Sequence, residues 1–203
     1  MKRWIAIIVA LILFFSVGYP IITKGYFKVS YLSGTLAFFD ITLDDIERRA
    51  VCIVAGRVYS DAETVFSIKS DVSLDYGRPL YSVVSLEITK VIKGDLKEGE
   101  IIKIIEPYYI TGNTLFTFGN YLPSKPEQEY IFFLGKQRER SPSLPERAIG
   151  AHSVINLERG RYLVPSDRRS DLHKYSRSDL SLGKLDIDIY MQIYQDVVDA
   201  YLK

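Results

Sequence analysis

Cysteine and histidine are scarce in this sequence of 203 residues, which contains one cysteine and two histidines. A single cysteine excludes an internal disulfide framework and a metal site built from several thiolates. Cys52 lies in an apolar run, residues 50–55, where we expect a buried and unreactive thiol. His152 and His173 stand apart without the paired spacing of zinc ligands, so each is interpreted as an ordinary surface or strand residue.

An excess of charge of one sign is also missing, because 26 basic residues face 25 acidic ones. Such a balance gives no overall signal for nucleic acid or for an acidic partner. The sequence has no G-x-S-x-G nucleophile elbow and no phosphate-binding P-loop. Asp44-Asp45 and Asp186-Ile187-Asp188 lack the oxygen-rich pattern of a calcium loop. We therefore expect no enzyme, no metal and no cofactor, although carboxylates that converge only on folding escape such a search.

Aromatic residues are plentiful, with fifteen tyrosines and ten phenylalanines, and this composition favours strands. Residues 81–106 predict a central hairpin, because Val84, Leu86 and Ile88 alternate with polar residues at period 2. The alternation changes phase at Lys90-Val91, where we expect a β-bulge. Residues 101–105 are almost continuously apolar, which predicts a strand covered on both faces.

Further elements follow from local patterns. Strands are expected at 51–58, 64–68 and 129–134, and a final hairpin is expected from 153–157 and 161–164. A short helix is expected after Thr42, a plausible N-cap residue. The segment 166–181 is polar and predicted to be extended or disordered. A closing helix is expected after a cap at Asp186 or Asp188. Its apolar face is predicted to carry Ile189, Ile193, Val197 and Tyr201, flanked by Tyr190, Tyr194 and Val198.

The long hydrophobic run lies at the N-terminus, where residues 4–22 carry no charge and nearly reach the roughly 20 residues that span a bilayer. Lys2 and Arg3 precede it and predict a cytoplasmic N-terminus with an exported remainder. An uncleaved anchor is favoured because apolarity continues to Ile22. A signal peptide cleaved near 16–18 is the main alternative, and a buried helix of a soluble protein is the least favoured one. The expected location is the cell membrane, single-pass with the C-terminal domain outside the cytoplasm, or secreted after cleavage.

Four segments follow one another in a recognisable order and spacing: Val54-Ala55-Gly56-Arg57-Val58, then 84–92 running into Lys93-Gly94-Asp95, then 99–104, then 129–134. This order resembles small exported bacterial proteins whose barrel is similar to the netrin and tissue-inhibitor-of-metalloprotease modules. The resemblance implies an OB-like antiparallel β-barrel rather than a particular function. The inhibitor members of that superfamily use an amino-terminal cysteine that chelates zinc, and this sequence has no counterpart because Cys52 is internal.

The expected fold is mainly β, an OB-like antiparallel β-barrel with an N-terminal transmembrane helix and a C-terminal amphipathic helix. The expected divisions are a membrane anchor or signal peptide at 1–23, a connector at 24–40, the barrel at 41–165, and a polar linker with the closing helix at 166–203.

Two surfaces are candidates for function. Glycine, asparagine and proline predict a long loop at 107–126, and long loops that expose aromatic residues often bind partners. Its candidate partner-binding residues are Tyr108, Tyr109, Phe116, Phe118 and Tyr121. From residue 136 to residue 177 there are ten basic against five acidic residues, which indicates either a solvated edge or a patch that faces anionic headgroups or wall polymer. Its candidate residues are Arg138, Arg140, Arg168 and Arg169.

The expected function is a membrane-anchored extracytoplasmic binding or structural module of the cell envelope. One alternative is an inhibitor or immunity-type partner of another exported protein. The other is an envelope hydrolase whose carboxylates converge in the fold. The expected partners are the membrane, through the N-terminal helix, and an exported protein or an anionic envelope polymer, whereas nucleic acid is not expected in that compartment.

Overall fold

The computed structural model describes residues 28–32, 42–59, 63–65, 81–126, 128–140, 145–165, 172–184 and 187–202. Its strands are β1 (Lys28–Leu32), β2 (Cys52–Val58), β3 (Glu63–Val65), β4 (Tyr81–Lys93), β5 (Ile101–Glu106), β6 (Tyr108–Thr111), β7 (Thr114–Phe118), β8 (Glu129–Gln137), β9 (His152–Val154) and β10 (Arg161–Leu163). Its α-helices are α1 (Leu43–Arg49) and α2 (Asp188–Tyr201), and short 3-10 helices lie at Glu146–Ala148, Leu157–Gly160 and Leu172–Lys174. The predicted membrane segment, 4–22, lies outside these residues, and among the residues described no helix has the length and apolarity to cross a bilayer.

Five strands form a closed β-barrel, which confirms the mainly β class. Antiparallel pairs join β8 to β2, β2 to β4 and β4 to β5. β5 then pairs with β9 in parallel, and β9 pairs with β8 and closes the ring. Val84, Leu86 and Ile88 all point into the core, as their alternation predicts. Ile101 does not follow the prediction, because its side chain is 54% exposed at the start of β5.

Two bulges bend the barrel where β4 runs beside β2. The register shifts leave Thr89 and Ile92 of β4 without a partner on β2, on either side of the predicted phase change at 90–91. A bulge strengthens the local twist and bends the strand, which a closed barrel requires. The two backbones also approach closely at Gly56, where an added Cβ would lie 2.6 Å from the carbonyl oxygen of Glu87. Glycine at this position therefore permits the strand pairing.

The predicted final hairpin is wrong, because β9 and β10 do not pair with each other. Both strands pair with β8 and lie end to end along the same edge of it. The chain turns between them at Asn156 and Leu157, whose φ angles are 53° and 52°. Gly160 packs so tightly in this corner that a Cβ would lie 1.9 Å from the carbonyl oxygen of Ile155. Local alternation predicted the strands but carried no information on which edge each one joins.

A second sheet of three strands has the order β1-β7-β6. β6 and β7 form an antiparallel hairpin, and β1 lies parallel to β7 on the other side. The predicted loop over 107–126 is therefore wrong for most of its first half. Gly112, with a φ of 55°, and Asn113 make the tight turn of a hairpin rather than the middle of a long loop.

Helix α1 matches its prediction, because the hydroxyl of Thr42 accepts a hydrogen bond from the backbone N–H of Asp45 and Ile46 is buried. Helix α2 packs its tyrosines on the barrel. The hydroxyls of Tyr190 and Tyr194 donate hydrogen bonds to the carbonyl oxygens of Arg161 and Leu163 in β10, at 3.2 and 2.7 Å.

The prediction for α2 needs two corrections. Ile187 occupies the cap position and makes no side-chain hydrogen bond, while Asp188 is already the first helical residue. The buried face is also rotated from the predicted stripe. Ile189 is exposed and Tyr201 is half-buried, and the buried residues are Tyr190, Ile193, Tyr194, Val197 and Val198.

The described part of the predicted polar linker, 172–184, packs on the core instead of extending into solvent. Leu172, Leu180 and Leu182 are buried. The backbone of this segment also pairs with the loop that follows β7: the N–H of Leu122 donates to the carbonyl of Ser181, at 3.1 Å. The three leucines account for the packing, since they anchor an otherwise polar segment.

Candidate functional site

The aromatic residues predicted to lie on an exposed loop are largely buried. Tyr108, Tyr109 and Tyr121 belong to the interior, so the prediction of their exposure is wrong. Phe116 and Phe118 are half-buried on the same side of β7, and the ring of Phe116 stacks on Tyr109 with 4.9 Å between the ring centroids. Alternation along β7 buries Leu115 and Thr117 and leaves Phe116 and Phe118 half-buried. Both Tyr108 and Tyr109 at the start of β6 are covered, and Tyr121 is buried after the end of β7.

The predicted basic surface is divided between exposed and buried positions. Arg138 and Arg140 are exposed at the end of β8, and Nε of Arg138 donates to the hydroxyl oxygen of Ser153 at 3.1 Å. Arg168 and Arg169 lie outside the described residues. Arg161, which belongs to the same basic stretch, is buried. The stretch is therefore not one continuous surface.

Arg161 and Glu106 form an ion pair in the interior, where each residue is 1% exposed. A guanidinium nitrogen of Arg161 lies 3.5 Å from Oε1 of Glu106. The same guanidinium group donates to the carbonyl oxygens of Leu122 and Ser181 and to the hydroxyl of Ser124, each at 2.8 Å. A single side chain thus joins β10, the loop after β7 and the 172–184 segment.

Tyrosines complete this buried cluster. The hydroxyl of Tyr121 donates to Oε1 of Glu106 at 2.6 Å, and the hydroxyl of Ser124 donates to the same oxygen. The guanidinium carbon of Arg161 lies 4.1 Å from the ring centroid of Tyr121 and 5.1 Å from that of Tyr130, which are cation–π distances. Oε2 of Glu106 and Nε of Arg161 have no hydrogen-bond partner within the described part of the chain.

These contacts determine the protonation states of Tyr121 and Arg161. Burial raises the pKa of Tyr121 well above its ordinary value, so the phenol remains a neutral donor. Burial lowers the pKa of Arg161, but nearby Tyr121, Tyr130 and Glu106 outweigh burial and raise it, so the guanidinium stays charged. Because no member of the cluster reaches solvent, its contacts stabilise the fold and offer no surface to a substrate.

A groove beside α2 is a concave surface that reaches solvent. It has a volume of about 660 Å³, within the range of roughly 300–1,000 Å³ that ligand sites occupy. Apolar and polar residues both line it: Leu172, Tyr175, Ile187 and Met191, together with Asp188, Gln192, Gln195 and Asp196. By contrast, large side chains such as Phe132, Leu86 and Ile104 fill the barrel interior.

Metal ligands do not converge in the residues described, because no group of three or more His, Cys, Asp or Glu side chains lies together there. His152 is a buried strand residue with Nδ1 2.8 Å from the carbonyl oxygen of Gly135. Cys52 is buried, as its sequence context predicts, and burial raises the pKa of its thiol.

Comparisons with known proteins found no significant match to this chain. No family model, curated protein or solved structure matches this chain at a significant level. The resemblance to netrin-like barrels therefore stays a prediction, and the function must be argued from this structure.

The sequence did not predict the groove, although it contained signals for the two segments that line it. The apolar periodicity of 189–201 predicted the helix and the burial of Ile193 and Val197, but not the exposure of Ile189. Leu172 and Tyr175 lie in a segment that is mostly polar, so their packing against the rest of the domain was not predicted. A tertiary groove between two segments has no local signature, so sequence alone could not have located it.

Proposed function

We propose that this protein is a binding module of the cell envelope, held at the membrane by residues 4–22, with an OB-like barrel as its scaffold. The groove beside α2 carries the proposal. Its apolar lining residues are buried or half-buried and are called its floor, and its polar lining residues are exposed and are called its rim. Sites that bind ligands usually combine these features. The filled barrel interior leaves the surface of the domain as the place for recognition.

The barrel supports the scaffold role by its rigidity. The ring of five strands contains one parallel pair, β5 with β9, and otherwise antiparallel pairs. The OB fold is likewise a five-stranded barrel. Tyr190 and Tyr194 bond α2 to β10, so one wall of the groove is fixed to the barrel. A site built on packed elements is held more rigidly than a site on a free loop.

Photo-crosslinking in the cells that produce the protein tests this function. A photoreactive amino acid replaces Gln192 or Gln195 in the groove, and Lys97, exposed in the turn between β4 and β5, serves as the matched control. We expect one discrete crosslinked product from the groove positions that is absent from the Lys97 control. The product should also disappear in a Met191→Glu variant, which places a charge on the groove floor. Identical products from all three positions, or no product from the groove, would contradict the proposal.

A further inference from the structure

The charges of α2 all have the same sign. The helix sequence DIYMQIYQDVVDAY contains three aspartates and no lysine, arginine or histidine. Asp188 and Asp196 lie on the groove, whereas Asp199 does not. Gln192 and Gln195 lie between them on the helix and add amide groups to the same rim. An occupant of the groove therefore meets negative charge and both kinds of hydrogen-bonding group.

The apolar residues on the floor of the groove bind different groups of a ligand from the polar residues at its rim. Leu172, Ile187 and Met191 present aliphatic or thioether surface, and Tyr175 adds an aromatic ring. Methionine adapts its shape and is common on surfaces that bind varied apolar side chains. An occupant must therefore bury apolar groups on the floor and carry its charge at the rim.

We propose that the groove binds a short peptide segment of a partner protein in which a basic side chain stands between aliphatic ones. This inference rests on the proposed function and specifies its ligand. The volume of about 660 Å³ accommodates a few side chains. The carboxylates of Asp188 and Asp196 attract a guanidinium or ammonium group. The Gln192 amide pairs with peptide N–H and C=O groups, and Gln195, whose Nε2 donates to Asp199 at 3.0 Å, offers its amide oxygen to a peptide N–H. An acidic segment is rejected by like charge.

Met191 supplies a site-specific readout. The chain contains two methionines, Met1 and Met191, so a protein labelled with carbon-13 at the methionine methyl groups gives two signals. The signal lost in a Met191→Leu variant is assigned to the groove floor. The full chain is placed in nanodiscs of zwitterionic lipid, which keeps basic probes off the membrane. The probes are the peptide acetyl-Leu-Leu-Arg-Leu-Leu-amide and its counterparts with glutamate or glutamine at the centre.

We expect the arginine peptide to shift the Met191 signal saturably, and the glutamate peptide to leave it unchanged at the same concentrations. The double variant Asp188→Asn/Asp196→Asn should weaken binding by about five- to tenfold, since each exposed pair contributes modestly. Glu98→Gln removes the same charge at an exposed position in the turn between β4 and β5, outside the groove, and should leave binding unchanged. Raising the salt concentration should weaken binding to the wild-type chain.

Three results would overturn the inference. Equal affinity for the arginine and glutamate peptides would remove its electrostatic basis. Equal affinity for n-butylguanidine and for the peptide would show that the groove selects a small cation rather than a protein segment. If no peptide shifts the Met191 signal in a protein that still crosslinks through Gln192, this ligand is rejected and the proposed binding function stands. If the crosslink is absent as well, the binding function itself is rejected.

Discussion

Replacement of Arg161 by methionine tests the role assigned to the buried ion pair. Arg161→Met keeps an unbranched stem but leaves the carboxyl group of Glu106, 1% exposed, without its cationic partner. Removing one partner of a buried pair costs about 3–5 kcal/mol, because the remaining charge is uncompensated. Domains of this kind have a total stability of about 5–15 kcal/mol. We therefore expect the variant to lose a large fraction of its folding free energy.

The double variant Arg161→Met/Glu106→Gln separates the charge effect from the lost hydrogen bonds. Glutamine keeps an oxygen for the Tyr121 hydroxyl, now 2.6 Å from Oε1, and buries no charge. The carbonyl oxygen of Leu122 still loses the Arg161 donor, and an unsatisfied group costs about 1–3 kcal/mol, whereas the carbonyl oxygen of Ser181 keeps the N–H of Leu122 as a donor. We expect the double variant to be more stable than Arg161→Met alone.

An exposed pair provides the matched control. Arg57 and Glu129 lie 3.2 Å apart, and their side chains are 55% and 26% exposed. Surface pairs contribute about 0.2–1 kcal/mol, so Arg57→Met should have a small effect. Urea unfolding of the full chain, followed by near-ultraviolet circular dichroism of its fifteen tyrosines, measures all the variants. The single variant Glu106→Gln completes a double-mutant cycle. A loss below about 1 kcal/mol for Arg161→Met, or effects of Arg161→Met and Glu106→Gln that simply add in the double variant, would refute the reasoning.

Three further predictions concern pH, backbone packing and location. Burial raises the pKa of Glu158 in the folded protein. The stability linked to this shift is therefore present below the pKa of Glu158 in the unfolded chain and is lost as pH rises through its pKa in the folded protein. Glu158→Gln should raise Tm at pH 7 but not at pH 4, and an equal change of Tm at both pH values would contradict this. Gly56→Ala should destabilise by about 1–3 kcal/mol in urea unfolding, because the new Cβ would lie 2.6 Å from a backbone oxygen; an unchanged midpoint would show that the strands relax. The protein should stay with membranes after a high-salt wash, since burial of residues 4–22 is hydrophobic and insensitive to screening; a soluble form that begins near Tyr19 would indicate cleavage.

The sequence predicted the elements whose signals are local. Thr42, with acidic residues behind it, predicted helix α1, and the alternation of Val84, Leu86 and Ile88 predicted the central strand of the barrel. The phase change at 90–91 predicted a bulge, and the structure has one on each side of it. These features depend on backbone geometry and on neighbours within a few residues, which a pattern can express.

The errors arose where distant segments decide the outcome. Tyr121 was expected at the surface, yet it is buried because Glu106 and Arg161 surround its hydroxyl and its ring. Arg161 was counted as surface charge because its carboxylate partner lies 55 residues away in sequence. The groove beside α2 likewise needs Leu172 and Met191 to meet across a fold. Buried polar clusters and grooves of this kind are tertiary features without a local pattern.

Labelling with a membrane-impermeant maleimide tests the central claim, a groove outside the cytoplasm that a partner covers. The native thiol of Cys52 is buried, so engineered cysteines report cleanly. In intact cells, Lys97→Cys should be labelled readily, whereas Gln195→Cys should be protected and should become as reactive as Lys97→Cys after purification. Equal labelling of both positions in cells would contradict a covered groove, and labelling of neither until the cells are lysed would contradict its location.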